Sequence, residues 1–182
     1  MPMGKKTNSW IDRLRELRRQ NAPRKFHSAI LLAAGSGLRF GDENGKHLTM
    51  CGGVPVLVRS ALAFESCDRI DEIVVVTRDC DRETCTNLLR SAGVTKLKTV
   101  VSGGETRQSS AKRGFDAVNP NADFVSLHDA ARCLVTPEMI AAVLEEAEIH
   151  GAAACAEKPV DTVKRVNKDG FIEETLDRDR VW

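Results

Sequence analysis

The sequence SAILLAAGSGLRFGDENGK, residues 28–46, determines how the rest of the chain is interpreted. Its apolar run at residues 30–32, flanked by alanines, is typical of a strand buried on both faces of a parallel sheet. Gly35 and Gly37 follow, and residues without a side chain leave main-chain N–H groups open to an anion. The stretch therefore predicts a buried strand that ends in a phosphate-binding loop.

Two cations accompany this loop. Arg39 and Lys46 would neutralise charge on a triphosphate whose α-phosphoryl group is being transferred. Spacing excludes two other glycine loops: the dinucleotide fingerprint needs glycine or alanine where Phe40 stands, and a P-loop needs a hydroxyl where His47 stands. From this stretch alone, an ordinary strand–turn–helix remains the alternative.

Composition excludes several classes of protein. A net charge of +1 over 182 residues argues against bulk nucleic-acid binding. Six cysteines without a C-x-x-C pair give poor support for zinc or thioredoxin chemistry and favour a reduced, cytoplasmic protein. No apolar run approaches the roughly eighteen residues of a membrane span, and we expect neither membrane insertion nor export.

Strand and helix patterns alternate after the loop. Predicted strands are Glu72–Thr77, Leu97–Val101, Asp123–Leu127 and Ala152–Ala156; predicted helices are Val54–Phe64, Arg82–Ala92, Arg107–Val118 and Pro137–Ile149. This alternation predicts an α/β fold with a mainly parallel sheet and helices on both faces. Two segments, DTVKRVN and FIEETLD, are separated by a turn at Asp169 and Gly170 and predict a projecting β-hairpin. We expect a basic extension at 1–27, a nucleotide-binding α/β domain at 28–159 and a β-arm at 160–182.

Two of the predicted strand ends carry polar sequences, and ligands of parallel sheets bind at the carboxyl ends of strands. In SGGETRQSS, residues 102–110, the glycines clear space and Ser109 and Ser110 could donate hydrogen bonds to a ligand. Ser102 and Glu105 also have the spacing of a capping box. In HDAAR, Asp129 and Arg132 lie on one predicted helical turn, where such a pair is commonly only an ion pair.

Five motifs occur in one order along the chain. They are L-A-A-G-x-G-x-R with a lysine seven residues later (Leu32 to Arg39, Lys46), G-G-x-x-R-x-x-S (Gly103 to Ser110), H-D-A-A-R (His128 to Arg132), P-V-D-T-V-K (Pro159 to Lys164) and T-L-D-R (Thr175 to Arg178). Together they resemble the 2-C-methyl-D-erythritol 4-phosphate cytidylyltransferases, which have a Rossmann-like nucleotidyltransferase fold. Two positions depart from that family: Gly45 and Cys133 stand where proline is usual. With Gly45 in place of proline, the backbone before Lys46 is less rigid, so the position of Lys46 relative to the nucleotide is less firmly fixed.

The resemblance implies a reaction and a set of site residues. CTP would be joined to methylerythritol phosphate with release of pyrophosphate, a step of isoprenoid precursor synthesis by the non-mevalonate pathway. The implied catalytic residues are Arg39, Lys46 and Arg178; the implied binding residues are Ala33, Ala34, Gly35, Ser36, Gly37, Gly104, Ser110, Asp129, Arg132 and Thr162. Mg²⁺ would be held mainly by the substrate phosphates, with no metal-binding residue assigned to the protein.

The resemblance also implies a homodimer, in which the arm at 160–182 carries Thr162 and Arg178 into the partner's substrate site. A flap folded back on its own subunit is the alternative. Other possible functions are a ribitol 5-phosphate cytidylyltransferase, or a non-catalytic nucleotide-binding protein derived from the fold. The resembled family continues beyond Trp182, so we expect this chain, as given, to bind CTP weakly and to turn over slowly or not at all.

Overall fold

In a computed structural model, residues 23–35 and 45–182 are described. The strands are β1 (His27–Leu32), β2 (Met50–Cys51), β3 (Val54–Pro55), β4 (Glu72–Thr77), β5 (Leu97–Ser102), β6 (Phe124–Asp129), β7 (Lys164–Val166) and β8 (Ile172–Thr175). The helices are α1 (Val56–Glu65), α2 (Arg82–Ser91), α3 (Arg107–Ala117) and α4 (Pro137–His150). Three short 3-10 helices lie at Lys46–Leu48, Asp79–Asp81 and Arg178–Arg180.

The main sheet has four parallel strands in the order β5-β4-β1-β6. From β1 the chain proceeds outward to β4 and β5 on one side, and then returns to the other side of β1 for β6. The order therefore reverses at β1, and ligands of open α/β sheets bind in the crevice at such a point. The predicted α/β class and its parallel sheet are confirmed.

The sheet is covered on both faces. One face packs on α3, where the position of a Cβ on Gly114 would lie only 2.5 Å from Ile30 Cγ2. The other face contributes Ala29 and Leu31 to a cluster built with α1, α2 and α4. Burial on both sides explains the apolar run at residues 73–76 in the middle of β4, and the strand also buries its polar ends, Glu72 and Thr77.

Seven of the eight strands and helices predicted after the loop have bounds within two residues of the observed ones, but the prediction of a strand at Ala152–Ala156 is wrong. That segment is exposed and has no regular structure. Alanine has little preference for strands, and none of the described strands pairs with this segment. The helix predicted from Val54 begins at Val56 instead, because Val54 pairs with Cys51 in the small β2–β3 hairpin.

The arm hairpin is confirmed as antiparallel β7 and β8. Its connection is longer than a two-residue Asp-Gly turn: the Gly170 N–H donates to the Asn167 carbonyl at 3.1 Å. Gly170 has φ +87°, which favours glycine after such a turn. Both strands are exposed along their whole length. Among the described residues, no helix is long and apolar enough to cross a membrane.

Candidate nucleotide site

A cavity of about 1000 Å³ lies at the carboxyl end of the main sheet. It is lined by Leu32, Ala33, Ala34, Gly35, Lys46, His47, Arg78, Gly104, Glu105, Thr106, Arg107, Ser110, Asp129, Ala131 and Arg132. These residues follow β1, β4, β5 and β6, so the topology alone brings them to one edge. A second cavity of similar volume lies outside β6 beside α4, and its wall is mainly apolar. The first cavity is the candidate site because it contains the loops and cations that an anionic ligand needs.

The loops after β1 and β5 are in direct contact. A Cβ built on Gly103 would lie 2.3 Å from the Cβ of Ala34 and 2.9 Å from Ser110 Oγ. Main-chain hydrogen bonds hold both loops: the Ala33 N–H donates to the Val76 carbonyl at 2.6 Å, and the Gly103 N–H donates to the Thr77 carbonyl at 2.8 Å. Small residues are therefore required here to bring two strand ends together.

The hydroxyls of Ser109 and Ser110 already have partners within the loop. Ser110 Oγ accepts from the Gly104 N–H at 3.0 Å, and its side chain is buried. Ser109 forms a capping box with Thr106, which begins α3. The capping box predicted for Ser102 and Glu105 is wrong, because Ser102 ends β5 and its hydroxyl donates to Asp79 instead.

Asp129 holds two arginines at the mouth of the cavity. Its Oδ1 accepts from Arg107 Nε at 3.1 Å and from Nη2 at 3.0 Å, and its Oδ2 lies 3.4 Å from Arg132 Nε. Asp129 is the last residue of β6 and is followed by a turn, so the predicted helical turn is wrong. Exposed ion pairs contribute little to stability, and the effect of this group is to fix the positions of two cations.

A third group of charges lies behind the loops. Arg78 follows β4, and its Nε donates to Asp81 Oδ2 at 2.5 Å. His47 lies beside the same carboxylate, and burial lowers the pKa of its imidazole below the ordinary value. Gly45 has φ +81°, a conformation that proline cannot adopt, which gives a local reason for glycine at this position.

The structure brings together most of the predicted site residues. Ala33, Ala34, Gly35, Lys46, Gly104, Ser110, Asp129 and Arg132 all line the one cavity. Ser36, Gly37 and Arg39 lie outside the described residues. Thr162 and Arg178 lie on the arm and do not line the cavity; the Arg178 guanidinium donates to the Val160 carbonyl at 3.0 Å.

Three basic residues of the cavity lining, Arg107, Arg78 and His47, are not among the predicted site residues. Arg107 belongs to a quoted motif but was given no role, and Arg78 directly follows a predicted strand, so the strand-end rule could have found both. His47 was considered only as a mismatch to a P-loop. No spacing in the sequence indicates that its ring is buried against Asp81.

The sequence matches a family of known proteins. The profile of the 2-C-methyl-D-erythritol 4-phosphate cytidylyltransferase family matches residues 27–182. The curated proteins of that name from Syntrophus aciditrophicus and Clostridium acetobutylicum are 37% and 36% identical over 85% and 86% of this chain. The chain spans 66% and 69% of those two proteins.

Solved structures give the same result. The 4-diphosphocytidyl-2C-methyl-D-erythritol synthase of Anaerococcus prevotii is 31% identical, with a TM-score of 0.75 over 86% of this chain and 66% of that one. The 2-C-methyl-D-erythritol 4-phosphate cytidylyltransferase of Francisella tularensis is 26% identical, with a TM-score of 0.63 over 87% and 69%. Because the family profile matches residues 27–182, the chain belongs to the 2-C-methyl-D-erythritol 4-phosphate cytidylyltransferase family.

Proposed function

We propose that this protein transfers the cytidylyl group of CTP to 2-C-methyl-D-erythritol 4-phosphate and releases pyrophosphate, in the non-mevalonate route to isoprenoid precursors. The observation that carries the proposal is the convergence of the glycine loops, Lys46 and the Asp129 cluster on one cavity at the strand ends. Motifs far apart in sequence thereby form one anion-binding surface.

The chemistry needs positioning and charge more than proton transfer. A phosphate oxygen of the acceptor attacks the α-phosphorus of CTP, a new P–O bond forms, and the bond to the β-phosphate breaks. The acceptor phosphate is already ionised near neutral pH, so no general base is required. Lys46, together with Arg39, stabilises the additional negative charge at phosphorus during attack.

The remaining residues bind the two substrates. The backbone of Ala33–Gly35 and the loop at Gly104 hold the nucleotide, with Ser110 fixing the shape of that loop through its contacts with Gly104. Asp129 and Arg132 lie where the nucleotide and the acceptor meet. Ser36 and Gly37 belong to the same predicted phosphate loop and lie outside the described residues.

Mg²⁺ fits this site as a partner of the phosphates. Among the described residues, no three His, Cys, Asp or Glu side chains lie together as a metal-binding group. The carboxylate of Asp129 lines the cavity and could contact a metal ion, but it is already paired with two arginines. The ion would add charge neutralisation on the nucleotide phosphates.

We further propose that the arm at 160–182, distinct from the α/β domain at 28–159, pairs with a second copy to form a homodimer. Its hairpin exposes Val166, Phe171 and Ile172 by 55%, 71% and 64%, which favours burial against a partner. Thr162 and Arg178 would then reach the partner's acceptor site. A cytoplasmic location is consistent with six cysteines that are all unpaired.

Pyrophosphate release tests the proposed reaction. The protein is incubated with Mg²⁺ and CTP, and with either 2-C-methyl-D-erythritol 4-phosphate or ribitol 5-phosphate. We expect slow CTP-dependent release of pyrophosphate with the methylerythritol acceptor. If pyrophosphate is released with ribitol 5-phosphate but not with the methylerythritol acceptor, the acceptor is reassigned. If CTP binds but no pyrophosphate is released with either acceptor, the protein is a non-catalytic nucleotide-binding protein.

A further inference from the structure

A cluster of three ionisable side chains, His47, Arg78 and Asp81, lies at the wall of the cavity, and its members belong to none of the five motifs. Nε2 of His47 lies 3.3 Å from Oδ2 of Asp81, and the same oxygen accepts a hydrogen bond from Arg78. His47 is 2% exposed and Asp81 is 9% exposed. Removing charged groups from water is costly unless they are paired, so these three side chains depend on one another.

His47 fastens the turn that carries Lys46. The turn is a 3-10 helix of three residues, in which the Leu48 N–H donates to the Gly45 carbonyl at 3.1 Å and the Thr49 N–H donates to the Lys46 carbonyl at 3.3 Å. Such short 3-10 segments have poor hydrogen-bond geometry and little stability of their own. His47 is the buried residue of the turn. Its contact with Asp81 therefore ties the turn to the segment after β4.

The backbone is folded closely over this ring. A Cβ on Gly45 would lie 2.9 Å from Cε1 of His47 and 3.1 Å from Nη2 of Arg78. Neither ring nitrogen of His47 has a well-aligned hydrogen bond within the described part of the chain. The ring is thus held by close packing and by the electrostatic approach of the Asp81 carboxylate.

We propose that His47 and Asp81 are positioning residues, which anchor the turn at 45–49 and hold Lys46 at a fixed place on the wall of the nucleotide cavity. The same carboxylate holds Arg78, which lines that wall as well. The role of Lys46 in this statement rests on the proposed function. A preorganised charge stabilises a transition state far better than a mobile one, and a displacement of about 1 Å can cost roughly a hundredfold in rate.

The test uses Asp81→Asn, with Asp79→Asn as a matched control. Both variants replace an aspartate of the same 3-10 helix by its amide, but the side chain of Asp79 is 82% exposed and does not line the cavity. Amide hydrogen exchange measures the turn without requiring turnover. In Asp81→Asn we expect exchange at Leu48 and Thr49 to accelerate by at least about tenfold, while amides of β4 and the control variant change little.

Kinetics separate positioning from a general loss of structure. Asp81→Asn should lower kcat by about tenfold or more with little change in the KM for CTP. Combined with Lys46→Ala it should cost much less than the product of the two separate losses, because one of the two groups that Asp81 holds is gone. If Asp81→Asn fails to fold, His47→Leu takes its place. His47→Gln is then the conservative variant: it keeps an N–H donor and should retain most of the wild-type kcat.

Two outcomes would overturn the proposal. One is unchanged amide exchange at Leu48 and Thr49 in Asp81→Asn; the other is a double variant whose loss in kcat equals the product of the losses in Asp81→Asn and Lys46→Ala. A wild-type protein that shows no CTP-dependent turnover would contradict the proposed function instead. In that case the exchange measurement alone decides whether His47 and Asp81 anchor the turn.

Discussion

Lys46 contributes a positive charge to the cavity wall, and its effect should fall on the reaction rate. We expect Lys46→Ala to lower kcat by about a hundredfold or more, on the scale of losing one preorganised electrostatic group, with a smaller change in CTP affinity. The matched control is Lys112→Ala, a lysine of α3 that is 74% exposed and pairs with Asp116. Steady-state kinetics and thermal unfolding are measured for both variants. Full turnover in Lys46→Ala, or its unfolding, would assign Lys46 a structural role.

Two histidines, the buried His47 and the half-buried His128, predict how stability depends on pH. Burial lowers the pKa of both His47 and His128 below the ordinary value of about 6.5. Protonation therefore favours the unfolded state, and stability is fully present above pH 6.5 and is lost as the pH falls from there through the lower folded-state pKa. The shifted carboxylates, such as Asp123, have their pKa lowered as well and lose their contribution only in more acidic solution.

We therefore expect Tm to fall between about pH 6.5 and pH 5, before the carboxylates titrate. His47→Gln should flatten part of this decline, and adding His128→Gln should flatten more of it. The measurement is thermal unfolding at constant ionic strength across that range. A decline that is identical in the wild type and the double variant would contradict the assignment to these histidines.

The sequence predicts individual site residues well where they lie within one short stretch. The glycine loop and Lys46 were found from one stretch, and the structure brings Asp129 and Ser110 to the same cavity. The contact between His47 and Asp81 could not be found that way, because it joins residues 34 positions apart through the packing of two loops. Burial of a single polar residue leaves no periodic pattern.

At the scale of the elements, α3 must approach the sheet at Gly114. An added Cβ there would lie 2.5 Å from Ile30 Cγ2 and 2.8 Å from Val76 Cγ2, both from strands of the central sheet. Alanine gains about 1 kcal/mol in helix propensity, but overpacking against branched core side chains costs about 1–3 kcal/mol. We expect Gly114→Ala to lower the free energy of unfolding by denaturant. Gln108→Ala on the exposed side of α3 is the control, and a stabilised Gly114→Ala would show that α3 packs less closely.

Elements with a strong pattern were predicted well. The strand at Glu72–Thr77 has the bounds that the sequence predicts, because the apolar run at residues 73–76 marks its centre, and its polar ends, Glu72 and Thr77, are buried as well. The failures lie where the pattern is weak. Ala152–Ala156 is apolar by composition, but small side chains do not specify a strand, and helix α1 was predicted too long because Val54 and Pro55 continue its apolar pattern.

At the scale of the whole molecule, the arm should be separable from nucleotide binding. Its strands β7 and β8 form a sheet of their own, and none of the residues that line the nucleotide cavity belongs to them. Removal of residues 161–177 should therefore give a monomer that still binds CTP. Sedimentation and CTP titration of the shortened and full chains test this. A shortened form that remains a dimer would place the interface elsewhere, and one that loses CTP binding would show that the arm supports the nucleotide site.

We expect a pyrimidine nucleotide to bind where the loops after β1 and β5 meet. Calorimetric titration with CTP, ATP and NAD tests it most directly, with Gly103→Ala as the variant, because an added Cβ there would lie 2.3 Å from Ala34 Cβ and force the loops apart. We predict that the wild type binds CTP in preference to both other nucleotides, and that Gly103→Ala weakens CTP binding by at least about tenfold while the fold persists. ATP binding equal to or tighter than CTP binding, or undiminished CTP binding by Gly103→Ala, would contradict the account.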